Sequence, residues 1–254
     1  IVANAGAPNS GAIEPLPPLA ALAAARGLWL HADAAYGGAF VLCPEGRRRL
    51  AGLERADSIA FDPHKGLFLP YGTGCLLVAD GDRLARAHAA DAAYLQDLED
   101  APGLAPPSPA DLGPELSRPF RGLRLWLPLM VHGAGAFRDA LTEKLDLAAA
   151  LHRALADRIA AGAPLELAAP LALSVVTFRP RRRPGEPLAA WNQRAAALLA
   201  AIHRRGRVHL SSTLLPVDDG DAAALRACVL SFRTHRDRID ALLDDLDAAL
   251  AELS

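Results

Sequence analysis

Apolar and polar positions change rhythm partway along the chain. In the first part, short runs that are apolar throughout alternate with longer segments of helical spacing. Residues 1–5 form the first such run, and the loop Gly6-Ala7-Pro8-Asn9-Ser10-Gly11 behind it is dense in turn formers. Residues 15–26 are rich in Ala and Leu and read as a helix entered through prolines and closed by Gly27. Residues 28–33 give a second strand ending on Asp33, with Gly37-Gly38 just beyond, and helical residues around 47–55 come next. Residues 58–61 and 74–79 are the third and fourth strands. Strands that alternate with helices and stay apolar along their length predict an α/β fold, a mostly parallel sheet covered on both faces. Ligands of such sheets sit outside the carboxyl ends of the strands, and Asn9, Asp33 and Lys65 are all expected at such ends.

A polar helix is expected over residues 80–93. Residues 101–118 hold Pro102, Pro106, Pro107, Pro109 and Pro114, which excludes regular structure and marks a lid or a disordered segment. Helices follow at 120–130 and 137–159. In the second, Leu141, Leu145, Ala148, Leu151 and Leu155 recur at three- and four-residue spacing and form one apolar face. Beyond Gly162 come a strand (173–178), a basic proline-rich loop (179–187), a helix (188–205), strands (208–215 and 226–232) and a closing amphipathic helix (237–253). That is a small α+β unit. The chain is thus expected to divide into a large domain over 1–118, with a mobile loop at about 97–118, connecting helices over 119–160 and a small domain over 161–254.

The totals narrow the function classes. At 254 residues the chain can bury a substantial core. A formal net charge of -2 supplies no field toward nucleic acid or anionic membrane, so neither is an expected partner. Cys43, Cys75 and Cys228 are odd in number and far apart, which argues against a disulfide framework and predicts a reducing, cytoplasmic setting. There is no CxxC, no His/Cys cluster with metal spacing, no apolar run of the roughly 18 residues a membrane span needs, and no signal peptide. Met130 is the only methionine and the chain opens inside an apolar strand, so it reads as the C-terminal portion of a longer protein.

Only two lysines, Lys65 and Lys144, stand among 27 basic residues. Where charge alone is needed the chain uses arginine, whose guanidinium stays protonated. A lysine at a strand-to-turn junction, in Asp62-Pro63-His64-Lys65, is therefore a candidate for covalent chemistry, most directly an imine with a carbonyl cofactor. The alternative is a solvated surface lysine. Asp33 ends a buried strand, where a carboxylate is costly unless paired. It either caps the following segment or meets a protonated pyridine nitrogen, which makes that ring a better electron sink. Lys65, one strand over, favours the second. Asp62 is either a turn residue before proline or a group near a cofactor, and His64 either lines that site or packs. Arg181-Arg182-Arg183 lies among prolines without interleaved aromatics and reads as a solvated loop. Arg118, Arg121 and Arg124 flank Trp126 near the lid and read as interface salt-bridge formers, with substrate carboxylate binding as the alternative.

His31-Ala32-Asp33-Ala34-Ala35-Tyr36-Gly37-Gly38, followed by Ala56-Asp57-Ser58 and Asp62-Pro63-His64-Lys65, resembles the pyridoxal-phosphate-dependent amino acid decarboxylases of the aromatic-L-amino-acid/glutamate group. Asn9-Ser10-Gly11-Ala12-Ile13-Glu14-Pro15, Arg118-Pro119-Phe120-Arg121-Gly122-Leu123-Arg124-Leu125-Trp126, Leu225-Arg226-Ala227-Cys228 and Phe232-Arg233-Thr234 resemble further segments of that family, so the likeness spans essentially the whole chain. It implies a large domain of the PLP-transferase (aspartate aminotransferase) type, incomplete at its N-terminus. It also implies that Lys65 forms the internal aldimine with pyridoxal 5'-phosphate and that Asp33 pairs with the pyridine nitrogen. Ala35 would pack against the ring, and Asp62, His64 and Asn9 would lie at the cofactor's phosphate and active-site face. His64 and Lys65 would be the catalytic pair. The implied reaction is decarboxylation of an amino acid, aromatic or similar, in a homodimer whose mobile loop reaches across interface active sites.

Three departures from the family's pattern stand out. The N-terminal half of the cofactor domain, which carries the phosphate loop and a ring-stacking histidine, is not in this chain, which predicts weak cofactor binding or none, and no activity, by the chain alone. Pro8 stands where the family often has a threonine. No tyrosine occurs between Leu95 and Pro119, and Leu112 lies about where the family carries one. Aldehyde synthesis, transamination, carbon–carbon cleavage or a non-catalytic dimerisation role are the alternatives these departures leave open.

Overall fold

A computed structural model describes residues 1–88 and 109–253. Its first sheet has the order β1-β2-β3-β4. Strands β1 (Val2–Asn4), β2 (His31–Asp33) and β3 (Ser58–Phe61) run parallel, and β4 (Cys75–Val78) returns antiparallel to β3. The reversal at β4 follows from its connection, which holds only the one-turn helix α3 (Pro63–Gly66) and no crossover helix. Helix α1 (Leu16–Arg26) carries prolines in its first turn, where the missing N–H is not needed, and stops at Gly27 in the left-handed conformation. The helical residues expected around 47–55 form two pieces, α2 (Pro44–Arg49) and a 3-10 turn at Leu53–Arg55, separated by Gly52 at φ 96°.

The expectation of two covered faces is corrected. Alternation along the paired strands puts Ala3, Ala32 and Ile59 on one face and Asn4, Asp33 and Ala60 on the other. The first face carries the core, where Ala3, Ala5, Leu30, Ala32 and Ala34 pack with Leu16, Ala20, Phe40 and Leu50. The second is only half-buried and is flanked by Val2 and Leu76, 69% and 53% exposed. Even the packed side keeps an open apolar groove of about 740 Å³ between Leu42, Leu50, Phe61, Leu77 and Leu129.

Helix α4 (Gly81–His88) falls within the helix expected over 80–93; the remainder of that helix, and the loop about 97–118 as far as residue 108, lie outside the described residues. Pro109–Leu112 makes a single 3-10 turn. Helix α5 (Gly122–Ala160) is interrupted at Gly133, whose φ 75° and ψ 152° are not helical, so two helices are present as the apolar spacing predicts. Phe137, Leu141 and Leu145 serve the first core, and Leu147, Ala148, Leu151 and Leu155 serve a second. Each fully buried leucine there contributes about 2 kcal/mol of apolar burial.

The second sheet is antiparallel, in the order β5-β6-β8-β7: β5 (Leu165–Leu167), β6 (Val175–Pro180), β7 (Ser211–Val217) and β8 (Gly220–Cys228). Helices α6 (Leu188–Arg204) and α7 (Arg236–Glu252) supply the rest of its core. The last strand is shifted from the expected 226–232, because a tight hairpin pairs Val217 with Gly220 and carries the alanines 222–224 into register with β7. The arginine run is structural: Arg182 forks onto Asp219, and Arg194 grips Glu186. Arg121 pairs with Glu115. Among the described residues no helix is long and apolar enough to cross a membrane, no acidic, His or Cys group could hold a metal, and all three cysteines are free.

Candidate active site

Strand β3 ends at Phe61 and the chain turns at once. Asp62 is extended (φ -110°, ψ 93°), and Pro63, with its fixed φ, opens α3, which carries His64 and Lys65. A Cβ on Gly66 would stand 2.3 Å from the Ala39 Cβ, so this turn is pressed against the segment following β2. Phe68 closes the turn at φ 57°, the only positive φ at a non-glycine among the described residues, with its N–H 3.3 Å from the Lys65 carbonyl. Helices commonly place glycine there.

Asp62 Oδ2 is a shared node. It lies 2.8 Å from Lys65 Nζ and 3.9 Å from His64 Nε2. His64 Nδ1 donates to the Thr73 carbonyl at 2.7 Å, which fixes the proton on that nitrogen, and the Tyr71 ring stands 4.8 Å from the imidazole. Asp33 ends β2, in register with Asn4 on one side and Ala60 on the other. Its Oδ1 accepts the Ala35 N–H at 3.1 Å. Its Oδ2 has no hydrogen-bond partner among the described residues. The local cap is therefore real and uses one oxygen only. Because β2 and β3 are parallel neighbours, Asp33 and the Lys65 turn share the carboxyl edge of the sheet.

Asn9 is not at a strand end, and that expectation is corrected. β1 stops at Asn4, the loop after it folds back through the Ala5–Ile13 bridge, and the Asn9 amide reaches the Leu214 carbonyl at 3.5 Å. The neighbouring Pro8 carbonyl accepts Arg226 Nε at 2.8 Å. This loop is a contact with the second sheet.

Residues not singled out from the sequence also converge here. Asn4 is the β1 residue beside Asp33, and its own N–H is held by Glu14 Oε2 at 2.6 Å. His31 shares the Asp33 face two residues earlier, and its Nδ1 is 2.8 Å from Ser58 Oγ, which also accepts the Trp29 indole N–H at 2.8 Å. Strand parity counted back from Asp33 is the signal that finds His31. Behind the site, the Tyr36 hydroxyl is buried against Ser174 Oγ (2.6 Å), tying the turn after β2 to the second sheet. The turn itself admits no side chain at Gly37, where a Cβ would meet the Ala5 carbonyl oxygen at 1.9 Å.

Residues 1–181 match the family described as pyridoxal-dependent decarboxylase conserved domain. The chain is 33% identical over 255 residues to an aromatic-L-amino-acid decarboxylase of Bacillus atrophaeus, covering 100% of this chain and 51% of that protein. It is 31% identical over 217 residues to a phenylacetaldehyde synthase of Petunia hybrida, covering 83% of this chain and 42% of that one. The crystal structure of Oryza sativa TDC with PLP and tryptamine matches with a TM-score of 0.82 at 25% identity, over 99% of this chain and 50% of that one. The chain spans about half the length of the relatives it matches. Its fold and its sequence agree, and the chain belongs to the pyridoxal-dependent decarboxylase family.

Proposed function

We propose that the protein containing this chain uses pyridoxal 5'-phosphate to decarboxylate an amino acid, aromatic or similar, to an amine. The observation that carries this reading is the pair Asp33 and Lys65 at the carboxyl edge of two adjoining parallel strands, beside a half-open sheet face. When bound, the cofactor supplies an aldehyde for a primary amine and a ring that accepts the electrons left when the carboxylate departs. The donor set fits such a group: a primary amine and a carboxylate with one oxygen uncommitted, beside the small residue Ala35 whose N–H holds the other oxygen.

In this reading Lys65 provides the anchoring amine, and Asp62 orients it through the 2.8 Å ion pair. Asp33 holds a proton on the ring nitrogen. His64, with its Nδ1 proton committed to Thr73, presents Nε2 as an acceptor beside the amine. Asn9, in the loop after β1 with its amide 3.5 Å from the Leu214 carbonyl, would be a further cofactor contact. The assembly is read as a cytoplasmic homodimer, a setting the three free cysteines support. On the full-length protein, Lys65→Ala should abolish the visible absorbance of lysine-bound cofactor; a retained band refutes the assignment.

A second reading, aldehyde synthesis on the same site, is favoured by the absence of tyrosine between Leu95 and Pro119 and by the likeness to the Petunia hybrida phenylacetaldehyde synthase. Both release carbon dioxide, and product analysis separates them: an amine without oxygen uptake, against an aldehyde with ammonia and hydrogen peroxide formed as dioxygen is consumed.

A further inference from the structure

We propose that Phe68 and Phe232 form a clamp through which the small C-terminal unit positions the turn carrying Lys65. Phe68 holds a backbone conformation that bulky L residues rarely adopt, at a place where glycine would sit without strain. Its ring meets the Phe232 ring edge-on, with centroids 6.2 Å apart. Backbone need alone would choose glycine here; the ring is what glycine lacks.

The far side of the contact is itself anchored. The Arg233 guanidinium lies over the Phe232 ring at 5.2 Å, and the Thr234 carbonyl accepts the buried Lys144 ammonium at 2.5 Å. On the near side, the Phe68 N–H is bonded to the Lys65 carbonyl, so a displacement of Phe68 is passed directly to Lys65. Phe68 and Phe232 are positioning residues that act through this turn. The inference rests on the proposed role of Lys65.

The test uses the full-length protein that contains this chain, pyridoxal 5'-phosphate and borohydride reduction, with peptide mass to locate the label on Lys65; the other lysine of this chain, Lys144, is fully buried. The reading is the circular dichroism of the reduced label per mole of labelled Lys65, which reports how rigidly the ring is held. Phe68→Gly and Phe232→Ala should each lower it, as the ratio of held to free turn falls about two- to tenfold, the range an aromatic pair sustains. Phe68→Gly also gives up packing against the first core, so each variant is read well below its own Tm, and Phe232→Tyr, which retains a ring, should keep the signal. Unchanged dichroism per label in both Phe68→Gly and Phe232→Ala overturns the clamp. If instead Lys65→Ala takes up as much reduced label as the parent chain, the role of Lys65 falls, and the clamp with it.

Discussion

Replacing Lys144 with methionine separates the two lysines of this chain by what each contributes. Lys144 has no exposed surface, and its Nζ donates to the Thr234 carbonyl at 2.5 Å and to Glu143 Oε2 at 2.7 Å. Hydrogen bonds to a charged group contribute about 1.5–3 kcal/mol each, so the two together supply about 3–6 kcal/mol before desolvation. Burying an ammonium costs several kcal/mol, and methionine fills similar space without that cost. The groups left behind are not stranded: Glu143 is 39% exposed and keeps His235 Nδ1 at 2.7 Å, and Thr234 is half-buried. The expected net loss is about 1–3 kcal/mol, below the 3–5 kcal/mol for breaking a fully buried pair. At this chain length, about 2 kcal/mol lowers Tm by about 4–8 °C. Lys65→Met should move Tm far less, because its partner Asp62 is an i,i+3 neighbour and Lys65 is 40% exposed. Thermal melts of the two variants check this. A Lys144→Met chain as stable as its parent would refute the reasoning.

The same substitution has a signature in acid. Burial pushes the Glu143 carboxyl up, but hydrogen bonds from His235 and Lys144 outweigh it and hold the group below its ordinary value of 4.5. A carboxyl lowered by folding stabilises the fold above its unfolded value, and that contribution disappears as pH falls through the folded value. The parent chain should therefore lose stability below about pH 4.5. Lys144→Met, lacking one of the two donors, should lose less over that window. Superimposable acid limbs in urea titrations would show that Lys144 does not hold Glu143.

Two other substitutions test the turn after β2. Gly37→Ala puts a methyl 1.9 Å from the Ala5 carbonyl oxygen, backbone that cannot step aside, and should cost about 3 kcal/mol or more in urea unfolding. Tyr36→Phe leaves the buried Ser174 hydroxyl without its partner and should cost about 1–3 kcal/mol. Burial first, and then the neighbouring Cys228, pushes the Tyr36 phenol well above its ordinary value of 10.0. A group raised by folding stabilises below its unfolded value and loses that contribution as pH rises through the folded one. In alkaline ultraviolet titration the tyrosinate absorbance that Tyr36→Phe removes should therefore appear only as the chain unfolds; its appearance in the folded protein contradicts this.

How much of this was legible in the sequence depends on the range of the interaction. Asp33 and Lys65 were legible because each sits where an apolar run stops, and a strand end is defined by a few adjacent residues. The scarcity of lysine made Lys65 the candidate for chemistry, and the full burial of Lys144 gives the other lysine a structural place. Asn9 was not legible, since closeness to β1 along the chain is not closeness in space. Its loop is claimed by Leu214 and, through Pro8, by Arg226, 218 residues on, and nothing in residues 6–11 names those partners. The alanines of β8 carry little β preference of their own, so the hairpin with β7 sets that strand and local propensity does not. The two covered faces failed for a related reason. An all-apolar strand records the surroundings of the complete fold, and here one face of the sheet is packed while the other, carrying Asp33, stays half-open. Phe68 is the extreme case. Its residue type argues against the left-handed backbone it adopts, and only packing that the chain's own turn does not name, the first core on one side and Phe232 on the other, gives the ring a place there.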